Sequence, residues 1–117
     1  SKPEPRYEEV YFEFTSGYTK NTTLNDILQF VIGGNQYLVN LFGRSSMNTY
    51  DLAVYVRGVL SALALLNWTI TRTVRNGHDT IKCVAKTYGA KGVSSFNGEY
   101  GADTGVRAIV SAIKGIS

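Results

Sequence analysis

Cysteine is almost missing from this chain. The 117 residues hold one, Cys83, so no disulfide can close within the chain. A domain of this length buries about two-thirds of its unfolded surface and needs no covalent or metal staple. Cys83 is then expected as a small buried hydrophobe, with an intermolecular disulfide or a reactive thiol as the sharper alternatives. Histidine is also single, at His78. One His and one Cys give no recognisable zinc spacing. No serine sits in a nucleophile elbow, and the glycine-rich 89–101 stretch lacks the GK[ST] ending of a phosphate loop. No catalytic residue, metal or cofactor is therefore expected, and the chain is not expected to be an enzyme.

Long apolar runs are missing too. The greasiest stretch, GVLSALALLNWTI, runs from Gly58 to Ile70, and its unbroken part ends at Leu66. As a helix that part is about 14 Å long, against about 30 Å of bilayer hydrocarbon. A constitutive membrane span is excluded for it. Proline occurs only at Pro3 and Pro5, in the polar arm SKPEPR, so residues 1–6 are expected to be flexible and the rest to form one domain, 1–117. Charged residues make up 18%, below the usual value of about 25%. Tyr, Asn, Thr, Ser and Gly stand in their place, a palette commoner outside cells. The start at Ser1 is expected to reflect a processed product or a fragment.

Net charge is +3 and unevenly spread. Glu4, Glu8, Glu9 and Glu13 face only Arg6 at the start, whereas Arg57, Arg72, Arg75, Lys82, Lys86 and Lys91 face only Asp79 later. A basic half can mark an anionic partner. It can equally mark two halves that pair with each other.

Pattern supplies the elements. YEEVYFEFTS (Tyr7–Ser16) alternates, with Val10, Phe12 and Phe14 on one face and Glu9, Tyr11, Glu13 and Thr15 on the other, which predicts a half-buried strand. Thr23 and Asp26 suggest a helix start, followed by Leu24, Ile27, Leu28 and Val31 at helical spacing and stopped by Gly33-Gly34. NQYLVNLF is either a short strand, with Tyr37, Val39 and Leu41 on one face, or a resumed helix. The strand is preferred, because two glycines inside a helix cost about 2 kcal/mol. Asn48 or Thr49 caps the next helix, 49–66, with Asp51 in its first turn. Leu52, Tyr55, Val56, Val59, Leu60, Leu63 and Leu66 keep a helical period, and the polar stripe of Arg57 and Ser61 is narrow. So little polar face predicts a helix buried in the middle of the domain.

After Asn67 the period changes to two. Asn76-Gly77 predicts a type I′ turn that sets Val74 against Asp79, Arg72 against Ile81, Ile70 against Cys83 and Trp68 against Ala85. The other face carries threonines with Arg75, His78, Lys82 and Lys86, and the acids Glu9 and Glu13 of the first strand are its natural neighbours. Asn97-Gly98 marks a small hairpin or an ordered loop. Asp103 or Thr104 opens a final helix, with Val106, Ile109, Val110, Ile113 and Ile116 as its apolar stripe. The order becomes β-α-(β)-α-β-β-α, an α+β two-layer sandwich with a mostly antiparallel sheet and helices packed on one face.

Two sequons occur, at Asn21 and Asn67. Asn21, in a loop, is the candidate glycan carrier; Asn67, next to a core strand, is expected not to be one. SKPEPR, the small size, the net basic charge, the sequon NTT and the helix-over-antiparallel-sheet order together resemble the secreted killer toxins encoded by viruses of yeasts and smut fungi. That resemblance covers layout and rests on no diagnostic motif, so it assigns no residue a role. Many such toxins are rich in disulfides, which this chain is not. It implies a secreted, non-enzymatic cytotoxic protein acting at a target cell surface or membrane, with an apolar helix supplying insertion once exposed. The other expected function is a basic binding or assembly module, in which Arg75, His78, Lys82 and Lys86 meet an anionic protein or nucleic acid. Self-association or a second subunit, through Tyr7 and Tyr11 or the 89–101 loop, is a further partner expectation.

Overall fold

The computed structural model describes residues 1–21 and 25–117. The elements are β1 (Tyr7–Ser16), β2 (Ile27–Ile32), β3 (Asn35–Asn40), α1 (Thr49–Leu63), β4 (Trp68–Arg75), β5 (His78–Tyr88), β6 (Ser95–Asn97) and β7 (Arg107–Ile113). They build two antiparallel sheets, ordered β4-β5-β1-β7 and β3-β2-β6.

The β4–β5 hairpin forms as its sequence predicts. Asn76 and Gly77 both have positive φ, 53° and 77°, the backbone a type I′ turn requires. Trp68 pairs with Ala85, Ile70 with Cys83, Arg72 with Ile81 and Val74 with Asp79. A two-residue turn leaves no freedom to slip, so the face of every side chain follows from it. Ile70, Ile81 and Cys83 face the core. Burial pushes the Cys83 thiol far up from its ordinary value, so it behaves as a packed hydrophobe and not as a nucleophile.

Strand β1 sits between β5 and β7 and is covered on both faces. Val10, Phe12 and Phe14 enter the core, where Phe12 and Phe14 meet Phe30 of β2 edge-on at centroid distances of 5.1 and 6.5 Å. The smaller sheet and α1 thus lie over the inner face of the larger one, with Leu28, Phe30, Ile32, Leu52, Val56 and Leu60 closing the core between them. The architecture is mixed α+β, with one helix and seven strands among the described residues.

Three expectations are corrected. The helix expected from Thr23 or Asp26 is strand β2 from Ile27 onward; Thr23 and Leu24 lie outside the described residues. Ile27–Ile32 alternates Leu28, Phe30 and Ile32 inward, and Gly33-Gly34, with φ of 56° and 88°, is a hairpin turn setting Ile32 against Asn35. A Gly-Gly pair suits a two-residue turn as well as it stops a helix, and a β-branched hexapeptide favours the sheet. The preferred strand at Asn35–Asn40 is present as β3 and completes that hairpin.

The final helix expected from Asp103 or Thr104 is strand β7. Its i, i+3, i+4 pattern also contains an alternating one, and the open edge of β1 supplies the backbone partners that decide between them. Asn97-Gly98 closes an ordered loop: the Gly98 carbonyl accepts from the Thr104 backbone N–H at 3.1 Å and from its hydroxyl at 2.7 Å.

Helix α1 begins where expected. The Asn48 side chain caps it by accepting from the Asp51 N–H at 2.8 Å, with Asp51 in the first turn. It ends earlier, at Leu63, and it is not central. Leu52, Ala53, Val56 and Leu60 are buried, but Val54, Leu63 and Leu66 are exposed, because β1, β3, β4 and β5 contact the helix and no element of the described residues closes over its opposite side. In the N-terminal arm, Arg6 is held. It exchanges backbone hydrogen bonds of 2.9 Å with Ile116, and its guanidinium donates to the Lys114 carbonyl.

Candidate functional site

The outer face of the larger sheet is built in rows across β4, β5, β1 and β7. One row is Thr71, Lys82, Tyr11 and Ser111; the next is Thr73, Thr80, Glu13 and Ile109. Arg75, at the end of β4, lies back over this face and stacks on the Tyr11 ring, 3.8 Å from its centroid. Glu13 is 97% covered in consequence of what surrounds it: its Oε1 lies 3.0 Å from His78 Nδ1, the Asn76 amide donates at 3.3 Å, and Arg75 Nε is 3.9 Å away (relative exposure of Glu13 is 3%). The His78 bond, helped by Asn76 and Arg75, holds the Glu13 carboxyl below its ordinary value. Glu9 accepts from the Tyr11 hydroxyl and lies 3.8 Å from Lys82 Nζ. Burial, then the Glu9 contact, raises Tyr11.

The structure therefore brings three predicted site residues together, Arg75, His78 and Lys82, around acids and an aromatic ring of β1. Each already has a partner within the sheet. Lys86 is elsewhere. Its side chain crosses to the end of α1 and donates to the Leu65 carbonyl, where a cation also suits the helix dipole. Of the sequons, Asn21 is partly buried, and Thr22 and Thr23 beside it lie outside the described residues. Asn67 lies next to a core strand as expected, exposed in the turn before β4, with Trp68 beside it buried.

The end of the molecule to which Lys86 reaches has an opposite character. At the end of α1, Leu63 in the last turn and Leu65 and Leu66 past it are 50%, 60% and 87% exposed, and Val93 on the 89–94 loop is 76% exposed. Beside them opens a shallow cavity of about 170 Å³ lined by Leu66, Asn67, Trp68, Lys86, Thr87 and Lys91. Trp68, one of the lining residues, is itself buried. The Trp68 ring packs on Gly33, where a Cβ would come within 2.6 Å of it, so the β2–β3 turn must carry glycine for this end to close. The Gly34 N–H donates to the Val93 carbonyl at 2.7 Å and fixes the loop against that turn.

Glu8 anchors the same end. It is fully buried, and its Oε1 accepts from the backbone N–H groups of Lys91 at 2.9 Å and Gly115 at 3.2 Å. Charge-assisted bonds of this kind tie two loops to β1. Alternation along Tyr7–Ser16 puts Glu8 on the same side as Val10, Phe12 and Phe14, so the strand itself turns this carboxylate inward.

Periodicity puts Leu63 and Leu66, but not Leu65, on the core stripe; Lys91 enters only among the basic residues and Val93 only within the 89–101 loop offered for self-association. One signal existed. An apolar stripe with so narrow a polar counterpart is wider than one contact face can cover. Among the described residues, no helix is long and apolar enough to cross a membrane, and no cluster of three His, Cys, Asp or Glu is placed to hold a metal ion. No protein-family model matches the chain, and neither do curated proteins or solved structures.

Proposed function

We propose that this chain is a secreted, non-enzymatic cytotoxic protein that acts at the surface or membrane of a target cell. The observation that carries this reading is the bare apolar end of α1, Leu63, Leu65 and Leu66, with Lys86 bound to the Leu65 carbonyl and Lys91 lining the same cavity as Leu66. Exposed apolar side chains in one place mark interaction with a partner or a membrane. The helix does not have to leave the core to present them.

The competing function, a basic module that grips an anionic protein or nucleic acid through the sheet face, draws less support. Arg75, His78 and Lys82 are engaged by Glu13, Glu9 and Tyr11, so a phosphate would have to displace partners already within the sheet. The resemblance to virus-encoded killer toxins supports the first reading only in size and net basic charge, since two of the helices in the order it was drawn on are strands.

A growth-inhibition assay tests it. Purified protein spotted on lawns of several yeasts and filamentous fungi should clear zones on some strains and spare others. Absence of a zone on every lawn would overturn the cytotoxic reading in favour of the binding module. Salt-sensitive binding to an anionic partner, lost on charge reversal at Arg75, Lys82 and Lys86, would then establish that module.

A further inference from the structure

We propose that the apolar end of α1 seats in the headgroup and upper acyl region of an anionic lipid bilayer. Leu63, Leu65 and Leu66 enter, and Lys86 and Lys91 hold lipid phosphates. This rests on the cytotoxic reading above and names the partner of that same surface.

Three observations select a lipid interface. The first is geometry. The leucines stand where α1 ends, and α1 spans only Thr49–Leu63, so the protein dips an edge and does not thread a helix through. The second is charge. The cavity beside Leu66 is lined by Lys86 and Lys91 and by no Asp or Glu among the described residues, and the fully buried acid Glu8 is bound through Oε1 to two backbone N–H groups, with Oε2 4.0 Å from Lys114 Nζ. The Lys86 ammonium uses one donor on the Leu65 carbonyl; Lys91 uses its donors on Thr87 Oγ1 and the Tyr88 carbonyl. All of these acceptors are neutral, so both cations keep their charge for a phosphate.

The third is the failure of other occupants. A second copy docked on the same patch around a two-fold axis would bring Lys86 and Lys91 against their own equivalents, with no acid in the patch to offset them. A nucleic acid would satisfy the lysines and leave the leucines in water. An anionic bilayer meets both demands, acyl chains for the leucines and phosphates for the lysines, and basic residues near such a surface are drawn to it.

The experiment uses the full chain and two sets of vesicles, pure phosphatidylcholine and phosphatidylcholine with about one-third phosphatidylglycerol, read by co-sedimentation. Trp68, the only tryptophan, lines the cavity and gives a second readout through quenching by lipids brominated near the headgroup. Wild type should bind the anionic vesicles and be quenched. Leu66→Asp should lower that binding at least about tenfold. Lys86→Gln and Lys91→Gln should each lower it about fivefold. Arg75→Gln and Lys82→Gln, on the paired sheet face, should leave it unchanged. Leu66 is exposed, so Leu66→Asp should keep the wild-type melting curve, which separates lost binding from lost fold.

No binding to anionic vesicles overturns the proposal. So does binding that ignores Leu66→Asp, or a solution dimer that Leu66→Asp dissolves. Cytotoxicity that survives Leu66→Asp undiminished would remove this surface and leave the cytotoxic reading standing. Patch-dependent vesicle binding by a protein that clears no lawn would do the reverse.

Discussion

On the outer face of the larger sheet, Glu13 and Thr80 are polar and covered. At the end of α1, Leu65 and Leu66 are apolar and bare. The two regions invert the usual partition, and they do so for one reason. Burial follows the number of neighbours an element has on each side, and hydropathy only biases the outcome. Glu13 stands on β1, with β5 and β7 on either hand and the Arg75 side chain laid above. Its carboxylate tolerates that place because His78 and Asn76 hydrogen-bond it and Arg75 stands near. Leu66 stands beyond the last helical turn, and no element of the described residues closes over it. A covered polar cluster adds specificity to the sheet, whereas a bare apolar end retains free energy that only a partner can release.

Substitutions can break this contrast, and the largest effect belongs to the core. Leu60 and Leu66 are the same residue type, fully buried and 87% exposed respectively. Leu60→Ala should cost about 2–5 kcal/mol in urea denaturation. Leu66→Ala should stay within about 0.5 kcal/mol of wild type. Equal losses at the two positions would mean that the helix end is covered in solution and would erase the contrast.

A smaller effect is expected on the sheet face. Arg75→Ala removes the stacking on Tyr11 and uncovers Glu13, and should cost about 1 kcal/mol by the same measurement. No loss would show that the face tolerates open water and that Arg75 is free for a partner.

The smallest effect is the pH dependence of Glu13. Its carboxyl titrates below the ordinary value of 4.5 because of His78, Asn76 and Arg75. A lowered folded-state value contributes stability that is fully present above the unfolded-state value and is lost as pH falls through the folded-state one. The difference in urea midpoint between wild type and Glu13→Gln should therefore hold steady just above pH 4.5 and close as the solution is made more acidic. A gap that persists well below that range would show that Glu13 acts through shape and not through charge.

Local chemistry written within a few residues was legible from the chain alone. Asn76-Gly77 fixed the β4–β5 register, Asn48 and Asp51 fixed the start of α1, and the alternation in Tyr7–Ser16 fixed which side of β1 faces the core. The pairing of Glu9 and Glu13 with the basic strand was also foreseeable, since opposite charges were already assigned to adjacent faces. These features depend on contacts or turns whose partners the sequence names.

The remainder needed partners the sequence does not name. Ile27–Ile32 and Arg107–Ile113 fit both a helical and an alternating pattern, and only the open edges of β3 and β1 turned them into strands. Leu60 and Leu66 carry the same letter, and only the reach of the surrounding sheets buried one and left the other bare. Sequence fixed the turns, the cap and the faces, because those are local energies. Tertiary structure decided which ambiguous segments became strands and which leucines met water, because both depend on backbone groups and surfaces contributed from far along the chain.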